Sequence, residues 1–287
     1  MDVTKCNNIN VIAGIVLYNP NIERLRENIE AIKQQVDKIV FVDNGSKNKD
    51  YNQLLNPQYK YVLINNQHNK GIACALNQIM NYAEKHGYTQ VLTLDQDSVC
   101  TPNMVTTLIK YSNNNVGIVC PITEDRNFKE DFSYLNGKGV IEIDWCITSG
   151  SLTNVRAWKK AGGFDERLFI DWVDWDFCIA LKHKGFKILR TENAKLIHEL
   201  GNGTFWAQLF GKWRMILNRP AKRYYYVYRN RIYLARKWPE ISMKEQLCEL
   251  WWQTMTCMKY EQHRMSNLWA FIRGIIMGLT MQINRNH

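Results

Sequence analysis

Val91-Leu92-Thr93-Leu94-Asp95-Gln96-Asp97 is a short apolar run that stops on two carboxylates. It reads as a buried strand whose acids stand at its carboxyl end. Upstream, Ile9 to Tyr18 is an apolar run closed by Asn19-Pro20, after which Ile22, Leu25, Ile29, Ile32 and Val36 recur at helical spacing. Lys38 to Val42 is a strand stopped by Asp43-Asn44-Gly45-Ser46; Tyr61 to Ile64 is a strand and Ile72 to Lys85 a helix. Downstream, Met104 to Tyr111 gives a helix and Val116 to Val119 a strand. Strands alternating with amphipathic helices predict an α/β fold with a doubly wound, mostly parallel, Rossmann-like sheet. Ligands of such sheets bind beyond the carboxyl ends of the strands, where Asp43, Asp95 and Asp97 lie.

Past Pro121 a Gly-, Asn- and Asp-rich stretch leads to a strand near Val140 to Thr148, then Ser149-Gly150. Asp174 to Lys184 reads as a helix and two short strands end at His198. Beyond Gly201 the chain reads as helical, so the expected organisation is residues 1–200 as one unit and 201–287 as a helical extension. Lys222, Arg229 and Arg236 are seven apart, as are Arg223, Asn230 and Lys237, which puts each set on one helix face. Ser242-Met-Lys-Glu245, after Pro239, is a capping box.

Composition narrows the function classes. With 46% hydrophobic and 22% charged residues in a chain of 287, disorder is excluded. No run approaches the ~18 apolar residues of a spanning helix; Leu268 to Met281 is short and carries Arg273. Met1 to Lys5 has no apolar signal region, which sets the expectation of a chain that is not secreted. Eight cysteines without any C-x-x-C spacing read as free thiols in a reducing compartment. The formal net charge of +10 is lodged wholly in residues 201–287, which hold 14 Lys and Arg against 4 Asp and Glu, with six of the ten Trp. Basic plus aromatic composition points to an anionic partner: a membrane surface, a nucleic acid or a pyrophosphate-linked substrate.

Among single residues, Asp43 can accept from a base N–H or a ribose hydroxyl, or equally close an Asx-turn. Asp95 and Asp97 repel unless a cation or donors sit between them, and a hard divalent ion bridging to a diphosphate meets that need. Asp171-Trp172-Val173-Asp174-Trp175-Asp176 sets three carboxylates among apolar residues, which raise a carboxylate pKa and make it a better base; acids in a first helical turn also simply complement the dipole. His198 stands at a strand end on the ligand side. H-E-x-x-H, G-x-S-x-G and G-K-[ST] motifs are absent.

Together these segments resemble the inverting glycosyltransferases of family 2, of GT-A fold, and within them bacterial rhamnosyltransferases that use dTDP-L-rhamnose. The resemblance spans about residues 9–240. It rests on Val16-Leu-Tyr-Asn-Pro20, Val42-Asp-Asn-Gly-Ser46, Asn69-Lys-Gly-Ile-Ala73 with Asn77, Leu94-Asp-Gln-Asp-Ser98, Ser149-Gly-Ser151, Gly162-Gly-Phe-Asp165, Phe169-Ile-Asp-Trp-Val-Asp174, Ile197-His198 and Tyr226-Val-Tyr-Arg-Asn-Arg231. It implies that Asp43 contacts the nucleobase, that Gly71 and Asn77 line the nucleotide pocket and that Asp95 reaches the ribose or the surroundings of a metal. It further implies that Asp97 and His198 hold Mg²⁺ or Mn²⁺ and that Ser149-Gly150 shapes the floor beneath the donor sugar. Asp174 takes the place of the general base, with Asp171 and Asp176 as rivals because the usual Glu-Asp pair here reads Val173-Asp174. The implied donor is dTDP-L-rhamnose, with another UDP- or dTDP-hexose as the alternative. The implied acceptor is a lipid-linked saccharide of bacterial surface polysaccharide (O-antigen or capsule) synthesis.

The basic tail then acquires a meaning. Lys222, Arg223, Arg229, Arg231 and Arg236 are expected to meet an anionic membrane or the acceptor, placing the protein in the cytoplasm, peripheral on the inner face of the cell membrane. A nucleic-acid partner is not expected, since the basic residues are interleaved with Trp, Leu and Met and no nucleic-acid module is present. A non-catalytic membrane- or nucleic-acid-binding protein is the reading from a different class.

Overall fold

The computed structural model describes residues 10–55, 60–125, 137, 139–198, 205–216 and 218–283; Cys6 lies outside them. In chain order the elements are β1 (Val11–Leu17), α1 (Ile22–Ile32), β2 (Lys38–Asp43), β3 (Tyr61–Asn65), α2 (Ile72–Lys85), β4 (Gln90–Asp95), β5 (Val99–Cys100), α3 (Met104–Ile109) and β6 (Val116–Asp125). There follow β7 (Val140–Glu142), β8 (Leu152–Asn154), α4 (Val155–Ala161), α5 (Val173–His183), β9 (Lys187–His198), β10 (Phe205–Leu209), β11 (Lys212–Ile216), α6 (Ala221–Lys237), α7 (Met243–Tyr260) and α8 (Arg264–Thr280).

The main sheet runs β3-β2-β1-β4-β8-β6-β9-β5, with β7 also on β9. β3, β2, β1 and β4 are mutually parallel and β6 is parallel to β9, while β8 is wedged antiparallel between β4 and β6. Successive residues of a strand face opposite sides, so each buried strand feeds two cores. Ile12, Val40 and Val91 face α2, α4 and α5, whereas Ala13, Ile15, Phe41 and Leu92 face α1 and α3. The helices bury matching stripes: Leu25, Ile29 and Ile32 of α1 on one side, Leu76, Ile79 and Met80 of α2 on the other. The sequence expectation of a mostly parallel α/β sheet is met.

Four details differ from expectation. The strand expected from Val140 to Thr148 is only β7, and the two short strands ending at His198 are the single β9. Residues 205–216 form an antiparallel hairpin, β10–β11, where helix was expected; in β11 the order Lys212, Trp213, Arg214, Met215 alternates polar and apolar, the two-residue period of a strand. An independent extension beginning at residue 201 is not what the packing gives. Tyr233, Leu234, Trp238 and Ile241, from α6 and just beyond it, belong to the same buried cluster as α2, α4 and α5. α6, wholly within 201–287, thus packs into the core of the first part, with α7 and α8 on its other side around Tyr224, Tyr228, Ile232, Leu250 and Phe271. Ser242 caps α7 as the capping box requires, its Oγ accepting from Glu245 N–H at 3.3 Å.

Candidate active site

Three ligating groups converge where β4 ends beside the end of β9. One ligand atom each from Asp95, Asp97 and His198 lies within 4.8 Å of the others. Asn28 donates to the Asp95 carbonyl at 2.7 Å, and the Asp95 N–H donates to Ser149 Oγ at 2.9 Å, so the strand end is fixed from both sides. Ser149 Oγ in turn is 2.8 Å from Ser98 Oγ, which is 3.1 Å from His198 Nδ1. That chain orients the ring and leaves Nε2 as its outward nitrogen. Burial pushes the Asp95 carboxyl above its ordinary range, with Asp97 adding to the rise and His198 opposing it. Asp97 Oδ1 is buried without any hydrogen-bond partner. Two carboxylates and an imidazole, with one carboxylate oxygen unsatisfied, fit a hard divalent cation such as Mg²⁺ or Mn²⁺.

Asp95 and Asp97 form one wall of an open cleft of about 820 Å³ at the carboxyl ends of β1, β2 and β4. Val16, Tyr18, Asn44, Asn69, Gly71, Ile72, Gln96, Phe169, Ile170 and Arg223 complete its lining. Gln96, the middle residue of Asp-Gln-Asp, accepts from Tyr18 N–H at 2.9 Å and so ties the β1–α1 loop to the metal corner. Asn44 is a hub: its amide donates to Asn69 Oδ1 and the Gly71 carbonyl, and its own oxygen accepts from Lys70 N–H and Asn66. Gly71 opens α2 at φ +89°, and a Cβ there would stand 2.6 Å from the Phe169 carbonyl oxygen. Only glycine permits that approach, which is sealed by an Ile72 N–H to Phe169 carbonyl bond of 2.7 Å.

The segment 165–176, which reaches the cleft through Phe169 and Ile170, also carries the three rival carboxylates; none of them lines that cleft, and their surroundings separate them. Asp171 is held by Arg223, whose Nη2 is 3.0 Å from Oδ1, with Arg219 at 3.7 Å. Asp176 points into the protein, bonded to Trp238 Nε1 at 2.7 Å and to Lys237 Nζ at 2.7 Å. Lys237 also reaches Asp165 at 3.0 Å, and Tyr233 donates to the same oxygen at 2.7 Å. Burial raises Asp165, but Lys237 and Tyr233 outweigh it and hold that carboxyl below the usual range; for Asp176 burial prevails over Lys237 and the carboxyl lies above it. Asp174 has no cationic partner among the described residues; its Oδ1 accepts the Trp175 N–H at 3.0 Å. Burial pushes its pKa up to about 6, opposed by backbone hydrogen bonds and assisted by the charges of Asp171 and Asp95. Beside it Trp175 stacks on Trp145, with ring centroids 4.7 Å apart, and meets Trp172 at 5.6 Å.

α6 holds this segment in place, which corrects the expectation for its basic residues. Arg229 is buried, donating to the Arg167 carbonyl and lying over the Tyr226 ring; Arg231 lies over Trp172; Arg236 donates to the carbonyls of Gly278 and Met281. Arg223 is at the cleft, and Lys222 lies over the Phe169 ring. Asn230 completes the grip with bonds of 2.8 Å to the carbonyls of Ile170 and Asp171. Arg229, Arg231 and Arg236 turn inward because 165–176 and α8 lie directly against that helix, whereas Lys222 and Arg223 stay exposed. Asp171 and Trp172 are held there at φ +65° and +71°, a strained backbone region for such residues.

Two further placements, of Asp43 and Asn77, differ from expectation, and the Ser149-Gly150 turn lies under the site. Asp43 is fully buried, accepting from Ser46 N–H at 2.9 Å and from Lys49, so its carboxylate closes its own turn and offers nothing to a base in this arrangement. Burial raises its carboxyl, but the Lys49 and Ser46 hydrogen bonds outweigh that and hold it below the usual range. Asn77 lies away from the cleft, its amide bonded to the Phe164 carbonyl and Glu166 and its oxygen to Trp158 Nε1 and Phe164 N–H. Ser149 is buried behind Asp95 and does not line the cleft. Gly150, at φ +79°, sits behind it, bonded to the Thr93 carbonyl and facing Leu196 and Pro121. Both therefore support the site from beneath.

A family model described as "Glycosyl transferase family 2" matches residues 13–180. The chain belongs to glycosyl transferase family 2. This glycosyltransferase is 29% identical over 245 residues to the dTDP-rhamnosyl transferase RfbF of Shigella flexneri, covering 80% of this chain and 81% of that one. Among solved structures it is similar to GalNAc-T7, crystallised with UDP, GalNAc and Mn²⁺, at TM-score 0.62 and 12% identity over 96% of this chain and 57% of that one. It is also similar to S. aureus TarS at TM-score 0.57 and 10% identity, over 95% of this chain and 44% of that one. The glycosyltransferase thus spans about half the length of these two, and the likeness shows the fold, GT-A. Sequence reasoning missed Asn44, Phe169 and Arg223 as cleft residues and Lys237 as a counter-ion. The seven-residue spacing of Arg223, Asn230 and Lys237 did carry the signal that they share a face, but not what that face meets.

Proposed function

We propose that this glycosyltransferase inverts configuration in one displacement, transferring L-rhamnose from dTDP-L-rhamnose to a lipid-linked saccharide of bacterial surface polysaccharide synthesis. The observation that carries the mechanism is that Asp174, alone of the three neighbouring acids, has no cationic partner among the described residues, and burial pushes its pKa up to about 6. A carboxylate free of ion pairs and raised towards neutrality is the one able to take a proton from an acceptor hydroxyl. Asp171 and Asp176, each already paired with a cation, are poor acceptors. Rhamnose rests on the likeness to the Shigella flexneri protein.

Asp95, Asp97 and His198 would hold the divalent cation, which when bound neutralises charge on the departing diphosphate. Arg223, exposed on the same cleft and anchored by Asp171, keeps guanidinium N–H groups free to bond that diphosphate. Gly71 and Asn44 shape the nucleotide side of the cleft, and the indole ladder of Trp145, Trp175 and Trp172 gives an apolar wall for an acceptor sugar beside Asp174. A lipid-linked acceptor would be met at the inner face of the cell membrane. Among the described residues no helix is long and apolar enough to cross it.

The test is a screen of dTDP- and UDP-sugars with Mg²⁺ or Mn²⁺ and a lipid extract of a polysaccharide-producing bacterium, following nucleoside diphosphate release and labelled lipid. Release and lipid labelling with dTDP-L-rhamnose are expected, with a product whose anomeric configuration is opposite to that of the donor. Transfer from a UDP-hexose with none from dTDP-L-rhamnose would replace the donor, and a retained anomeric configuration would refute the displacement.

A further inference from the structure

α8 is apolar on two opposite faces, and only one of them is covered. Asn267, Ala270, Phe271, Gly274 and Gly278 face α6, so closely that a Cβ on Gly274 would stand 2.7 Å from the Tyr225 carbonyl oxygen and one on Gly278 2.6 Å from that of Arg229. Met265, Trp269, Ile272, Ile276 and Leu279 follow one another at steps of four, three, four and three, which is a single stripe along the opposite side. All five are between 42% and 73% exposed. A stripe of this kind on a helix already anchored by its other face is a surface built to be covered.

We propose that the exposed stripe of α8 is a docking surface for an anionic lipid bilayer, lying in the plane of the interface. Charge selects this occupant. α8 contains no acidic residue and carries two exposed arginines, Arg264 and Arg273. Arg264 donates to the backbone carbonyls of Glu261 and Lys259, and Arg273 lies over the Tyr225 ring, so neither has a carboxylate partner among the described residues. An antiparallel second copy laid on the stripe would bring the two Arg273 side chains together, and in either orientation α8 offers them no carboxylate. Phospholipid headgroups instead complement them while the acyl boundary takes the Trp, Ile, Leu and Met side chains. α8 is too short and too interrupted to span a bilayer, leaving an interfacial position.

This places the membrane contact not on Arg229, Arg231 and Arg236 of α6, which bond within the protein, but on the far side of the helix packed behind them. It also gives the contact a consequence. α6 lies between α8 and the segment carrying Asp171 and Asp174, so a bilayer under α8 would fix the distance of the candidate base from the lipid surface.

The experiment uses the full chain without donor or acceptor, so its outcome is independent of the catalytic reading. Cosedimentation is measured with vesicles of phosphatidylcholine alone and of phosphatidylcholine mixed with phosphatidylglycerol. Binding to the mixed vesicles, weakened by salt, is expected, and M265S/W269S/I276S should lower the partition coefficient about 10–100-fold, since three partly buried apolar side chains are removed from the boundary. These residues are on the surface, and a melting temperature close to the parent checks that the fold is kept. As a second measurement, acyl-chain-brominated lipid should quench tryptophan emission in the parent and quench less in Trp269→Phe, which preserves the stripe. Unchanged partitioning of the triple variant would overturn the proposal. So would a parent that ignores vesicles but dimerises by light scattering, with the triple variant monomeric, which would give the stripe to a second copy.

Discussion

Two groups of acids in this glycosyltransferase, one buried and one half-buried at the cleft, are neutralised in opposite ways. Asp165 and Asp176 share the ammonium of Lys237, itself almost wholly buried, and have Tyr233 and Trp238 as further donors. Among the described residues Asp95 and Asp97 have only a histidine between them, and Asp97 Oδ1 has no partner. A group that brings its own cation is a structural joint. A group that lacks one is a site awaiting a ligand, because buried carboxylates left uncompensated are costly. Asp174, two residues before Asp176, is raised by burial and has no cationic partner among the described residues.

The sharpest way to break this division is at Asp174. Asp174→Asn is expected to cut turnover by about 10²–10⁴-fold with little change in donor affinity, measured by calorimetry beside a transfer assay; Asp176→Asn should not reproduce that split. Next comes the joint. Lys237→Met leaves two buried carboxylates without their cation and should destabilise the protein by about 3–5 kcal/mol in denaturant unfolding, with no recovery on adding Mg²⁺ or Mn²⁺.

The metal corner should behave in the reverse sense. Divalent cation at about 100 times its dissociation constant should stabilise the parent by about 2.7 kcal/mol. Asp97→Asn should abolish most of that rise while leaving the cation-free protein folded. An equal cation-induced thermal shift in Asp97→Asn would remove Asp97 from the cation site.

The smallest effect is on pH. Asp174 has a folded-state pKa raised from 3.8 to about 6, so between those values the folded state binds more protons than the unfolded one and stability falls as pH rises. Asp174→Asn should therefore melt about 2–4 °C higher than the parent at pH 8, with the gain gone below about pH 4. Turnover runs the other way, since the base must be ionised: kcat/KM should climb about tenfold per pH unit below about 6 and level off above it.

Much of the site was legible before the fold. The strand-end positions of Asp95, Asp97 and His198 follow from apolar runs that stop on polar residues, and parallel strands bring such ends together. The three acids from Asp171 to Asp176 could be found as a group but not ranked, since ranking depends on partners about fifty to sixty residues away: Arg223 for one, Lys237 and Trp238 for another. Asp43 and Asn77 mark the opposite case. Their residue types suit ligand binding, yet each spends its polar atoms on the protein itself, on Ser46 and Lys49 or on Phe164, Glu166 and Trp158.

The basic, aromatic tail divides along the same line. Composition by itself determined that residues 201–287 carry the net charge and most of the tryptophan, and heptad spacing determined which α6 residues share a face. Only the tertiary structure decided that this face grips segment 165–176 and that the uncovered apolar stripe belongs to α8. Periodicity along a helix is a local property, written in a few consecutive turns. What each face meets is set by the packing of distant elements, and the sum of charges in a segment is indifferent to that direction.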